Sequence, residues 1–140
     1  MTSVLDRPAP PPDLTLRYGP LPEHVVDLRL PPAVPGRAAL IVLIHGGFWR
    51  PAYDRTHLGP MSHALAAAGY MVAVPEYRRA GMAEEGWTGT FDDIALAADQ
   101  VSGIAGAHGA DTSTVTWAGH SAGRSWRHSS PTTSPTATRP

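Results

Sequence analysis

Short apolar runs alternate with segments of helical periodicity along the middle of the chain. Residues 39–44 and 71–74 are continuously apolar and four to six residues long, which is typical of strands covered on both faces. Residues 25–30 alternate after Val26, as a half-buried strand does, and the β-rich run 114–118 predicts a further strand. The pattern therefore predicts four strands.

Two helices are predicted between these strands. Leu58, Met61, Leu65 and Ala68 recur at helical spacing, and Gly69 is a suitable stop. The second helix has a capping residue, two acidic residues at the positive end of its dipole, an apolar face and two glycines at its end. The capping residue is Thr90, and the acidic residues are Asp92 and Asp93. The apolar face consists of Phe91, Ile94, Ala98 and Val101, and the glycines at the end are Gly106 and Gly109. Alternating strands and helices predict an α/β fold with a mostly parallel sheet.

Both ends of the chain depart from this pattern. Residues 1–17 begin with a proline-rich segment and are expected to be a disordered lead, so the folded domain is predicted over residues 18–123. Residues 124–140 are rich in Ser, Thr, Pro and Arg and have no apolar periodicity. They are expected to form a disordered tail, since such a composition buries too little surface to offset its ordering entropy.

Composition narrows the function classes. The 140 residues carry a formal charge of -1, with 11 basic residues that are all Arg, and this balance favours neither nucleic acid nor a polyanionic partner. There is no cysteine, hence no disulfide and no thiolate metal site. No run approaches the roughly 18 apolar residues that cross a membrane. We expect a single soluble, cytoplasmic domain with no membrane partner, and composition does not indicate an oligomeric state.

Residues 119–123, Gly-His-Ser-Ala-Gly, are the strongest candidate for chemistry. They follow a predicted strand and fit the G-x-S-x-G nucleophile elbow, a tight turn that lifts a serine hydroxyl clear of a sheet. The alternative is that Ser121 is a structural turn residue. The upstream run His45-Gly46-Gly47 favours the elbow, because glycine-rich segments of this kind let the backbone approach a substrate oxygen closely.

Three motifs together resemble the esterase/formamidase branch of the α/β-hydrolases, and kynurenine formamidase (arylformamidase) and its carboxylesterase-like relatives in particular. The resemblance covers roughly residues 18–123, the N-terminal half of such a domain. It implies a partial α/β-hydrolase fold that lacks the C-terminal strands. The motifs are His45-Gly46-Gly47-Phe48-Trp49-Arg50, Pro75-Glu76-Tyr77-Arg78 and Gly119-His120-Ser121-Ala122-Gly123.

The resemblance implies hydrolysis of a carboxylic ester or aryl-formamide through an acyl-enzyme, with a small-molecule acyl substrate and neither metal nor cofactor. Ser121 would be the nucleophile. Trp49 and Tyr77 would either line a substrate pocket or pack around the loop that follows His45. Backbone N–H groups would stabilise the oxyanion of the tetrahedral intermediate. The oxyanion-hole residues would be Gly46, Gly47, Phe48 and Ala122.

The acid and base of a catalytic triad are the missing parts. In this fold they follow the serine along the chain, yet no Asp or Glu follows Ser121, and the only later histidine is His128 in the expected tail. His45 is expected to support the oxyanion loop, with general base as the alternative. We therefore expect a truncated or frameshifted, inactive hydrolase. The alternative is a non-catalytic module that binds a small molecule or a partner.

Overall fold

The computed structural model describes residues 9–33, 36–45, 55–78, 89–119 and 137–138. These residues form one sheet in the order β1-β2-β4-β3-β5-β6. Strands β3, β4 and β5 are parallel, as is the short β5–β6 pairing, whereas β1–β2 and β2–β4 are antiparallel. The strands are β1 (Leu14–Arg17), β2 (Val25–Arg29), β3 (Ala38–Ile44), β4 (Met71–Pro75), β5 (Ala110–Gly119) and β6 (Ala137–Thr138).

Two helices connect the parallel strands. A 3-10 turn at Arg55–Leu58 leads into α1 (Gly59–Ala67), between β3 and β4, and α2 (Gly89–Gly106) lies between β4 and β5. The two helices lie on opposite faces of the sheet, as the apolar residues of β3, β4 and β5 show by dividing between two buried clusters. The larger cluster packs on α2 and includes Val42 and Val101; the smaller packs on α1 and includes Val74. This confirms the predicted α/β fold class.

Glycines with a positive φ follow both helices, at positions that the sequence predicts. Gly69 follows α1 with a φ of +110°, and its N–H donates to the Ala66 carbonyl. Gly109 follows α2 with a φ of +106°. Both values lie in the left-handed region that glycine adopts without a steric penalty, so these two glycines end their helices.

Strand β2 differs from its prediction as a half-buried strand. Four of its five residues are buried, because the strand lies between β1 and β4 and has neighbours on both faces. Val26 and Leu28 join the α2-side core, while Asp27 and Arg29 are buried on the opposite face. Alternation correctly predicts a strand here, but the polar side chains of Asp27 and Arg29 are buried instead of facing solvent.

Helix α2 also corrects three predictions. Phe91, assigned to the apolar face, is 38% exposed, and Ala97 and Ala105 join the buried face instead. Thr90 lies inside the helix and donates its hydroxyl to the Arg78 carbonyl at 2.6 Å, so it does not cap. Asp93 is buried and ion-paired instead of serving as a solvent-facing helix-start charge.

Residues near both ends of the chain, which were expected to be disordered, pair with strands of the sheet. Leu14–Arg17, assigned to the disordered lead, form β1 and pair with β2, which corrects the boundary at residue 18. Ala137 and Thr138, in the expected tail, pair with Val115 and Thr116. The rest of the tail, residues 124–136 and 139–140, lies outside the described residues. In the described part of the chain no helix has the length and hydropathy to span a bilayer, and the cytoplasmic location stays a prediction.

Candidate active site

The three motifs leave the sheet at one edge. Because β3, β4 and β5 are parallel, their carboxyl ends meet at the same edge, which is where ligands bind in open α/β sheets. Ile44 pairs with Gly119 in the β3–β5 register. The residue before His45 therefore lies beside the first glycine of the G-x-S-x-G motif, and the Glu76 motif begins at the end of the adjacent β4.

The sequence-predicted site divides between described and undescribed residues. The nucleophile Ser121, the oxyanion-hole residue Ala122 and the run 46–50 lie outside the described residues. That run contains Gly46, Gly47, Phe48 and the pocket candidate Trp49. Their assignments stay predictions. The supporting residues His45, Glu76 and Tyr77 are described, and they show how this edge is built.

His45 and Glu76 form a buried pair at the ends of β3 and β4. Nε2 of His45 lies 2.6 Å from Oε1 of Glu76, and His45 is fully buried. Burial alone would raise the pKa of the Glu76 carboxyl, but the hydrogen bond and charge of His45 and the N–H groups of Arg55 and Tyr77 outweigh it and lower that pKa. Glu76 is thus a carboxylate that only accepts, so Nε2 of His45 must carry the donated proton. The ring is also fully buried and stacked on Tyr77, and this burial favours the supporting role over the general base.

Tyr77 completes this arrangement. It is 1% exposed, its ring stacks on that of His45 with centroids 4.3 Å apart, and its hydroxyl donates to the His45 carbonyl. These contacts are those of packing around the loop that follows His45. Of the two alternatives for Tyr77, the described residues favour packing over a substrate-lining position.

Arg55 contacts the Glu76 carboxylate on the α1 face of the sheet. Its backbone N–H donates to Oε2 of Glu76 at 3.1 Å, and its Nη1 lies 3.6 Å from the same oxygen. Nε of Arg55 lies 3.0 Å from Oδ2 of Asp27, an ion pair without hydrogen-bond geometry. Glu76 therefore holds both His45 and Arg55, the residues that precede and follow the segment 46–54.

A second buried network lies on the α2 face of the same edge, and sequence reasoning missed it. Nε2 of His24 lies 2.7 Å from Oδ1 of Asp93, while the Leu21 N–H donates to Nδ1 of His24, so the ring proton is on Nε2. The Arg78 guanidinium donates to both oxygens of Asp93, at 2.9 Å each. Burial would raise the pKa of Asp93, but the hydrogen bonds from Arg78 and His24 outweigh it and lower that pKa.

Two further histidines have described side chains, and both are exposed. His63 is an exposed residue of α1, and His108 is exposed beyond α2, with Nδ1 3.1 Å from the Ile104 carbonyl. His120 and His128 lie outside the described residues. No group of three or more metal-ligating side chains occurs among the residues that the structure describes.

Both the sequence and the fold of this chain are similar to those of known proteins. The sequence profile of the BD-FAE family matches residues 26–126. Esterase B from Lactobacillus rhamnosis is similar in structure, with 25% identity and a TM-score of 0.72 over 84% of this chain and 40% of that one. A bacterial heroin esterase has 25% identity and a TM-score of 0.64, over 73% of this chain and 32% of that one.

A Silicibacter protein provisionally assigned as a thioesterase has 29% identity and a TM-score of 0.63, over 81% of this chain and 39% of that one. The chain therefore spans about 40% or less of the length of these structures. No curated protein matches it.

Proposed function

Since the chain belongs to the BD-FAE family, which has the α/β-hydrolase fold, we propose that it supplies the nucleophile of a serine ester hydrolase. The observation that carries the proposal is the register between Ile44 and Gly119. It starts the predicted oxyanion loop and the predicted nucleophile elbow from neighbouring strand ends. A serine and backbone donors on these two loops would converge on one acyl group.

In this proposal the Ser121 hydroxyl attacks the acyl carbon, the ester or amide bond breaks, and the alcohol or arylamine leaves with the hydroxyl proton; water then hydrolyses the acyl-enzyme to the acid and restores the serine. The N–H groups of Ala122 and of the Gly47–Phe48 segment would receive the oxyanion. The His45–Glu76 pair would fix the two ends of segment 46–54, because Glu76 bonds the His45 ring before it and the Arg55 N–H after it. Its role is positioning, not proton transfer.

Carboxylic esters are the first proposed substrate class, supported by the esterases among the similar structures. Aryl-formamides are the second, supported by the motif residues 45–50 alone. Both reactions pass through the same tetrahedral oxyanion, so one site would serve either.

We further propose that the 140-residue chain alone does not turn over. No Asp or Glu follows Ser121 in this sequence, and the only later histidine is His128 in the expected tail; loss of a triad base alone costs on the order of a million-fold in turnover. A hydroxyl without a base attacks slowly, whereas the oxyanion donors need no partner from elsewhere. Ser121 is then a weak nucleophile that still reacts with strong electrophiles.

The test compares the chain with Ser121→Ala on 4-nitrophenyl acetate and N-formylaniline, and maps fluorophosphonate adducts by mass spectrometry. We expect no Ser121-dependent turnover of either substrate and slow phosphonylation at Ser121. Labelling of Ser102 or Ser113 without any labelling of Ser121 would refute the assignment of Ser121 as the nucleophile.

Ser121-dependent turnover within about a hundred-fold of ordinary esterases would refute the inactivity, since that rate needs a base. Saturable binding of ester by both the chain and Ser121→Ala, with no adduct at Ser121, would favour the non-catalytic binding module.

A further inference from the structure

The Arg55 guanidinium lies between two carboxylates on the α1 face of the sheet. Its Nε lies 3.0 Å from Oδ2 of Asp27, and its Nη1 lies 3.6 Å from Oε2 of Glu76. Both carboxylate side chains are largely buried, at 10% and 6% exposure, whereas that of Arg55 is 23% exposed. The guanidinium is therefore closer to Asp27, a residue outside the three motifs.

The strand register places Asp27 and Glu76 on the same face of the sheet. Asp27 pairs with Val74 between β2 and β4, and Val74 belongs to the buried cluster on the α1 side. Glu76 comes two residues after Val74, and its N–H donates to the Val25 carbonyl, so the pairing with β2 continues to this point. Because alternate residues of a strand share a face, the carboxylates of Asp27 and Glu76 both face Arg55.

Thr15 orients the Asp27 carboxylate. It lies opposite Asp27 in the β1–β2 register, and its hydroxyl donates to Oδ1 at 2.7 Å, which leaves Oδ2 toward Arg55. The charge of Asp27 also acts on the Arg29 guanidinium, as does the charge of Asp13. An experiment on Asp27 therefore has to separate its effect on Arg55 from its effect on Arg29.

The Glu76 carboxylate bonds the backbone of Arg55 and not its guanidinium. Oε2 accepts the Arg55 N–H at 3.1 Å, while Oε1 lies 2.6 Å from Nε2 of His45 and accepts the Tyr77 N–H at 3.1 Å. Bonds between a guanidinium and a carboxylate are typically about 2.7–2.9 Å long, so the separation of 3.6 Å from Nη1 is too long for one. The guanidinium thus stands off Glu76, although both groups are charged.

We propose that Asp27 is a positioning residue of the candidate active site: it holds the Arg55 guanidinium away from Glu76, so that the Glu76 carboxylate serves His45 and the Arg55 N–H. This rests on the proposed function, in which these two contacts fix the ends of segment 46–54. Without Asp27, the attraction of Glu76 for the guanidinium is no longer opposed on this face. Arg55 then bonds Glu76 directly, and the bond that Glu76 accepts from His45 weakens.

The experiment compares the full chain with Asp27→Ala by the NMR signal of the His45 Nε2–H proton and by the rate of fluorophosphonate labelling at Ser121. We expect the proton signal to move upfield, because its acceptor is weakened, and the labelling to slow at least about tenfold, as small displacements at a reacting centre do. The matched control is Asp13→Ala, which removes the other carboxylate that acts on Arg29 and should change neither readout.

An unchanged His45 signal in Asp27→Ala, an equal shift in Asp13→Ala, or a shifted signal with unchanged labelling would each overturn the proposal. If the parent chain is not labelled at Ser121, the proposed function fails, and the His45 signal alone decides whether Asp27 keeps Arg55 from Glu76.

Should Asp27→Ala unfold, Asp27→Asn carries the test, since the amide keeps the size of the side chain and loses its charge. A smaller upfield shift of the His45 signal in that variant supports the proposal, and an unchanged signal contradicts it.

Discussion

Two buried histidine–carboxylate pairs occupy the same edge of the sheet and differ in what surrounds the carboxylate. The distances are nearly equal, 2.6 Å for His45–Glu76 and 2.7 Å for His24–Asp93. Asp93 also receives two bonds from the guanidinium of Arg78. Glu76 receives the backbone N–H groups of Arg55 and Tyr77, and the Arg55 guanidinium is farther from it, at 3.6 Å.

The difference suggests separate roles: the His24–Asp93 pair connects elements of the fold, and the His45–Glu76 pair positions residues beside the candidate site. Asp93 joins α2 to the turn before β2 and to the segment after β4, so its contacts connect distant elements. Glu76 holds His45 and Arg55, the two residues that border segment 46–54. Because Glu76 and Arg78 are two residues apart, one short stretch after β4 serves both networks.

The largest expected effect is that of Asp93→Asn on stability. The amide cannot neutralise the guanidinium of Arg78 or accept every bond that Asp93 accepts, so we expect a loss of about 3 kcal/mol in the free energy of unfolding. Urea unfolding followed by circular dichroism measures it. Asp99→Asn, at an exposed position of the same helix, should change the same free energy by less than about 0.5 kcal/mol. Equal effects at the two positions would remove the distinction.

Acid should weaken both networks together. The folded-state pKa values of Glu76 and Asp93 lie below their ordinary values, so the unfolded chain binds more protons in the window between the two. Their stabilisation is complete well above the ordinary carboxyl pKa of about 4 and is lost as pH falls through that value toward the folded-state pKa.

Unfolding free energies measured between about pH 7 and about pH 3 should fall on the acid side, and Asp93→Asn should flatten part of that slope. An unchanged slope in Asp93→Asn would show that Asp93 is not one of the groups responsible.

The smallest effect concerns the contact that ties Arg78 to α2. Thr90→Val removes the hydroxyl that donates to the Arg78 carbonyl and keeps the shape, so we expect a loss of about 1 kcal/mol. Thr114→Val on β5, at an exposed position, is the matched control and should be close to neutral. Thermal unfolding of the two variants side by side checks the difference. A neutral Thr90→Val would mean that this contact does not stabilise the Arg78 segment.

The sequence predicted the strands and helices well where apolar pattern and turn chemistry agreed. Residues 40–44 pack against the buried clusters on both faces of the sheet, although Ala39 is exposed, and Gly69 ends α1 at the expected place. It failed where polar residues are interior. Asp93 looked like a helix-start charge because periodicity does not show that Arg78 and His24 are brought to it from elsewhere in the chain.

The candidate site was predictable as motifs but not as a network. Glu76 and Arg78 stood in a motif without an assigned role, since their partners lie 31 and 15 residues away along the chain. The register that places Ile44 beside Gly119 also depends on sheet order, which a single sequence does not give. Alternation places Arg29 on the polar face of β2, but it does not show that this face is covered in the fold.

Amide hydrogen exchange tests most directly whether the two pairs have these separate roles. We expect Glu76→Gln to lose protection selectively at either the Arg55 or the Tyr77 N–H group, because these donate to different oxygens of Glu76 and the amide keeps only one of them, while β3 and α2 stay protected. Asp93→Asn should instead lower protection across the whole sheet. Retained protection at Arg55 and Tyr77 in Glu76→Gln, or the same uniform loss in both variants, would contradict the account.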